Sequence, residues 1–169
     1  MKPEIVWHYT VKSKLDDIQK DRVIKPASVG WTEGERLAVW FSANPLWENT
    51  VSKMYKTDGT GCTIQEHWEL SQGKQALVRD EGTGSETMEY VAAPEFQPAR
   101  IGVAITTAPY RWDDFRRMSG VSAKVVKMLY QRALAVGARP GEWYVSFEPV
   151  QQEKWLSVQL YDVMEWKAE

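Results

Sequence analysis

Cysteine is nearly absent. Cys62 stands alone among 169 residues, so no internal disulfide can form, the usual condition of chains kept in a reducing compartment. Long apolar runs are missing as well. No window approaches the eighteen or so apolar residues that a membrane helix requires. The opening MKPEIVWHYTVKSKLDD meets charge too early for a signal-peptide core. The expectation is a cytoplasmic chain with no membrane partner. Also lacking are GxGxxG, GxxxxGK[ST], HExxH and GxSxG, which removes the phosphate-cradling loops, the two-histidine zinc helix and the nucleophile elbow. The GTG triplets at Gly59 and Gly82 are too short to wrap a phosphate. Histidine is scarce, with only His8 and His67. Cys62 and His67 would supply two ligands where a structural zinc site wants four, so no metal is expected. Nothing around Cys62 would lower its thiol pKa, which argues against a cysteine nucleophile.

What is present fits a globular domain. Apolar residues make up 43% and charged residues 26% of the chain, and 169 residues read as one domain, 1–169. Nine tryptophans are spread along the chain, most of them expected in or beside the core. The net charge of −2 gives no global attraction to nucleic acid. One stretch differs: from Tyr110 to Pro140, seven cations (Arg111, Arg116, Arg117, Lys124, Lys127, Arg132 and Arg139) face two acids, Asp113 and Asp114. This is either a solvated helix face or a docking surface for a polyanion, of which nucleic acid, through Arg111–Arg139, is one candidate.

Patterning predicts a mixed α+β fold, a sheet core with flanking helices. Strands are expected at Glu4–Thr10, Leu37–Ala43, Cys62–Leu70, Gln75–Arg79, Arg100–Thr106, Glu142–Val150 and Lys154–Tyr161, with Arg22–Pro26 a short extended piece. Helices are expected at Val11–Lys20, where Ser13 and Asp16 suggest a capping box, at Leu46–Tyr55, at Trp112–Met118 and at Val121–Val136. Gly137 then provides the C-terminal cap. The composition of Asp80–Ala99 predicts a long loop able to act as a lid. Alternation along the late strand puts Trp143, Val145 and Phe147 on an apolar face and turns Glu142 away from it.

Several residues suggest chemistry by their order along the chain. The first strand ends in His8-Tyr9-Thr10 and runs into a helix, a middle strand carries Trp40-Phe41-Ser42, and Glu142 opens a late strand. In this order the chain resembles the ADP-ribosyltransferase superfamily, especially the branches that open with His-Tyr-Thr, such as the DNA-targeting toxins and the RNA 2′-phosphotransferases. The resemblance implies an antiparallel-rich split sheet and an NAD-dependent transferase or NAD glycohydrolase. It places His8 on a ribose, Tyr9 and Thr10 at the nicotinamide end, Ser42 at the middle-strand hydroxyl position and Glu142 at the catalytic carboxylate. Pro140 departs from the doublet of acidic or amide residues seen in some branches, which leaves the acceptor open: protein, DNA, RNA or water. Such chemistry suits these residues, because nicotinamide leaves as a cation through an oxocarbenium-like ribose that a carboxylate stabilises. Trp40, Phe41 and Tyr55 would wall the flat ring and Arg100 would meet the pyrophosphate. Alternatives stay open: His8 and Ser42 as buried structural groups, Arg100 as an ion-pair residue, Glu148 or Glu89 as the carboxylate, and a catalytically silent binding module on the same scaffold.

Overall fold

The computed structural model describes residues 4–27, 32–51, 63–72, 75–79, 86–90 and 97–169. Among them, eleven strands and four α-helices form a mixed α+β architecture. The strands are β1 (Ile5–Val11), β2 (Val23–Ile24), β3 (Val39–Ser42), β4 (Gln75–Arg79), β5 (Glu86–Tyr90), β6 (Pro98–Ala104), β7 (Tyr110–Arg111), β8 (Trp143–Ser146), β9 (Val150–Gln151), β10 (Trp155–Asp162) and β11 (Glu165–Ala168). The helices are α1 (Lys12–Asp21), α2 (Ile64–Ser71), α3 (Trp112–Met118) and α4 (Ala123–Ala135). Seven strands make one sheet in the order β11-β10-β6-β1-β3-β8-β7, and β2-β9 and β4-β5 form two small ribbons. Every pairing is antiparallel.

The large sheet is buried on both faces. Strand alternation sends Val6, Val39, Phe41, Ile101, Val103 and Tyr144 into one core, beneath Leu15 of α1, Ile24 of β2 and Val150 of β9. The other face sends Trp143 and Val145 into a second core with Trp112 and Phe115 of α3 and Val126 and Ala133 of α4, and Trp40 packs against it. Two-sided burial explains why β3 and β6 read as nearly continuous apolar runs. It also changes the meaning of β8: Tyr144 and Ser146 are as buried as Trp143 and Val145, so the face shared with Glu142 is another core rather than an open surface.

Other expectations are corrected. Residues 64–71 are helical rather than extended, because Thr63 and Glu66 close a capping box. Thr63 N–H donates to Glu66 Oε2 at 2.7 Å, and Glu66 N–H donates to Thr63 Oγ1 at 3.2 Å. The box expected at Ser13 and Asp16 does not form. The helix starts after Val11 without a side-chain cap, and Asp16 pairs with Lys12 instead. Within the expected loop 80–99, β5 pairs with β4, and Pro98 and Ala99 already belong to β6. Of the helix expected over 46–55, residues 46–51 hold only a short 3₁₀ turn at Asn49–Val51; residues 52–55, with Tyr55, lie outside the described residues, as does Cys62. The α4 stripe is as expected, with Val125, Val126, Leu129 and Ala133 turned inward and Lys124 and Lys127 exposed. Gly137, at φ +75°, follows α4 in the left-handed conformation that closes a helix.

Candidate functional site

Strands β3 and β8 end together, and a cleft opens beyond them. The last ladder pair is Ser42 with Trp143. One step further, Ala43 N–H donates to the Glu142 carbonyl at 2.8 Å. Residues 43–49, 137–139 and Glu142 line a space of about 610 Å³. Glu142 ends the 3₁₀ turn Pro140–Glu142, with its side chain 31% exposed and Oε1 3.6 Å from the Arg139 guanidinium. Its Oε2 is buried and has no hydrogen-bond partner. Trp47, on the same cleft, has a buried indole N–H in the same condition.

The facing wall is the turn Asn44-Pro45-Leu46, and three side chains fix its carbonyls in succession. Tyr9 O–H donates to Asn44 O at 2.6 Å, Arg100 donates to Pro45 O, and Trp166 Nε1–H donates to Leu46 O at 3.0 Å. Ser42 Oγ accepts from Asn44 N–H at 3.2 Å. Behind the turn, the Arg100 guanidinium lies 3.8 Å from the ring centre of Trp7 and 4.2 Å from that of Trp166. Its Nε donates to Gln159 Oε1 at 2.7 Å. Burial lowers the Arg100 pKa, yet a guanidinium stays charged in proteins. Burial also raises the Tyr9 phenol to about 12, against the opposing pull of Arg100. Below the cleft, buried Glu48 accepts from Trp143 Nε1–H at 3.0 Å and Thr50 Oγ1–H at 2.9 Å. Asn49 Nδ2 donates to Val136 O at 2.7 Å, tying this wall to the end of α4.

The residues expected to bind NAD are therefore divided. Of the eight that the structure describes, Glu142 alone lines the cleft. Tyr9, Ser42 and Arg100 stand one layer behind, holding its wall. Arg100 is 6% exposed, so the anion contact expected of it is replaced by aromatic rings and carbonyls. His8 and Thr10 alternate with Tyr9 and face the opposite side of the sheet. There His8 Nδ1 lies 2.9 Å from Trp40 O and its ring meets Phe41 edge-on. Phe41 belongs to the first core. Trp40 packs between Phe115 and Trp143 on the other side. Both aromatic walls are thus core residues. Strand alternation is the reason: a run of three neighbouring residues cannot present all three side chains to one ligand.

Asn44, Trp47 and Glu48 enter the cleft without having been singled out in sequence, and Arg139, read there as part of the basic segment, joins them. The capture of the Asn44-Pro45-Leu46 turn by Tyr9, Arg100 and Trp166 joins residues as many as 120 positions apart and has no local signature. Among the described residues no group of three or more histidines, cysteines or acids could hold a metal ion, and no helix is long and apolar enough to cross a membrane. Comparison with protein-family models, with curated proteins and with solved structures finds no significant match to the chain.

Proposed function

We propose that this cleft takes NAD and that the chain breaks its nicotinamide–ribose bond, transferring ADP-ribose to an acceptor or to water. The observation that carries this reading is Glu142, whose side chain lines a space of ligand size while its Oε2 is buried with no donor among the described residues. An unmatched buried polar group costs on the order of 1–3 kcal/mol, and more when charged. With the carboxylate turned toward the cleft, a ribose hydroxyl donating to Oε2 would relieve that cost, and the carboxylate would then lie close to the carbon where positive charge develops. In the reaction the C1′–N bond breaks and its electron pair leaves with the pyridine nitrogen, neutralising it. An acceptor oxygen bonds to C1′ and gives up its proton to the carboxylate or to solvent. Arg139, 80% exposed beside the cleft, replaces Arg100 as the group available to a pyrophosphate. His8 keeps a positioning role, fixing the β3 backbone through Trp40 O. The resemblance in residue order, the antiparallel sheet and the cleft at Glu142 support the same reading.

The test is nicotinamide release from NAD, measured by chromatography with wild type and Glu142→Gln. The variant is expected to keep its melting temperature and lose at least about a hundredfold in rate, the scale of removing one charge-stabilising group. An inactive wild type, or an unaffected variant, would sink the assignment. One observation favours a second reading, a nucleotide-binding module without turnover: His8 is turned to the face of the sheet away from Ser42. Calorimetric NAD binding without nicotinamide release would select it.

A further inference from the structure

The groove between α3 and α4 lies outside the Glu142 cleft and carries the charge that the rest of the chain lacks. The described sequence from Tyr110 to Pro140 holds seven cations and two acids, leaving fourteen cations and twenty-one acids elsewhere. A chain of net charge −2 thus concentrates about five positive charges on two helices and their flanks. Between the helices is a space of about 680 Å³. Its floor is apolar, made by Trp112, Val121 and Val126, and its rims carry three cations and one acid, Asp113, Arg116 and Arg117 on α3 and Lys127 beside Tyr130 on α4.

Arg116 and Arg117 are held upright by their own helix. Asp113 Oδ1 lies 3.1 Å from Arg116, and Asp114 pairs with Arg117 while also accepting from Arg111 N–H at 3.0 Å. The two side chains remain 53% and 74% exposed, so exposed pairing orients them without neutralising them in a low-dielectric site. Tyr130, 43% exposed, lies nearly parallel to the buried Trp112 ring, with centres 6.5 Å apart. Tyr130 thus offers a partly exposed ring beside a buried one. Three rim cations and one exposed aromatic ring beside an apolar floor are the elements of a groove that tracks a phosphodiester backbone and stacks a base.

We infer that the α3–α4 groove binds single-stranded nucleic acid, with phosphates on Arg116, Arg117 and Lys127 and a base on Tyr130. An exposed base needs no unpairing, so a duplex is the poorer ligand for a stacking platform. This inference does not rest on NAD chemistry, since it concerns a different surface and is read by binding alone.

The experiment is fluorescence anisotropy of a labelled single-stranded oligothymidylate titrated with the full chain. Saturable binding is expected at low salt. With three phosphates neutralised, affinity should fall about eighteenfold for a fourfold rise in salt, from a slope of about −0.7 per phosphate on a single strand. Lys127→Glu should weaken binding by about tenfold or more and flatten the salt slope by about 0.7. Tyr130→Ala should weaken binding by roughly fivefold to a hundredfold, the range for one stacked base. Lys154→Glu, an exposed cation outside the groove, should leave binding unchanged. Folding of each variant is checked by circular dichroism. The inference is overturned by an absence of binding at low salt, by equal loss in Lys127→Glu and Lys154→Glu, or by a duplex binding as tightly as the single strand. Displacement of the oligonucleotide by an equal concentration of a free mononucleotide would also overturn it, since it would mark a small-molecule site.

Discussion

Arg100 and Tyr9 show how much can rest on two side chains buried side by side. Arg100 is a cation without a carboxylate, held by two indole faces and by carbonyl, amide and phenol oxygens. Tyr9 bridges it to the cleft, donating to Asn44 O and accepting from Arg100 at 3.4 Å. Because the Tyr9 phenol titrates at about 12 when folded, against about 10 when unfolded, the folded state binds this proton more tightly. Stability from this group is therefore complete below pH 10 and is lost as pH rises through 12. Two pKa units correspond to roughly 2–3 kcal/mol. Denaturant melts between pH 9 and pH 12 should show that alkaline loss, and Tyr9→Phe should flatten it. An unchanged alkaline limb in the variant would assign the loss to other groups.

Elements are shaped by two backbone features with opposite consequences. In β6, Gly102 lies opposite Trp7 of β1, and a Cβ on Gly102 would meet the Trp7 ring at 2.7 Å. The missing side chain lets the indole lie flat on the sheet, where its face receives Arg100. Gly102→Ala should push that ring aside and cost about 1–3 kcal/mol, the usual range for overpacking, visible as a lower denaturant midpoint. A midpoint equal to wild type would show that Trp7 relocates freely. The β10–β11 hairpin is the reverse case. Val163 and Met164, between the paired Asp162 and Glu165, have φ of 46° and 67°, the positive values of a type I′ turn that favours Asn-Gly. Both are well exposed, so no packing compensates a β-branched residue in this conformation. Val163→Asn with Met164→Gly should stabilise by about 1–2 kcal/mol. Scanning calorimetry should show a rise of roughly 3–6 °C at this chain length, and a fall would contradict the strain.

At the scale of the whole molecule, one sheet serves two cores. Ile101 and Phe115 are each fully buried, in the first and second core respectively, and both cores draw on strands β3 and β8 of the one sheet. Damage to either should therefore be felt by the whole fold. Ile101→Ala and Phe115→Ala are each expected to cost roughly 2–5 kcal/mol and to lower one shared melting transition. Two separated transitions in either variant would show that the cores unfold independently.

The amino-acid sequence by itself determined the α+β class, the positions of β1, β3, β6, β10, α3 and α4, the inward stripe of α4 and the glycine that ends it. These are matters of local periodicity and capping, and they need only a few neighbouring residues. It also held the Thr63–Glu66 capping box that marks α2, a signal outweighed by the apolar residues around it. Only the tertiary structure decided which side chains meet. Two-sided burial of the sheet turned His8 and Ser42 to opposite faces, moved Trp40 and Phe41 into separate cores and drew Arg100 behind the wall it had been expected to complement. It also gathered Asn44, Glu48, Arg139 and Glu142 around one cleft. Alternation along a strand is visible in sequence, but which face is covered, and by what, depends on pairings such as β1 with β6 that close across about ninety residues. No short pattern encodes that distance.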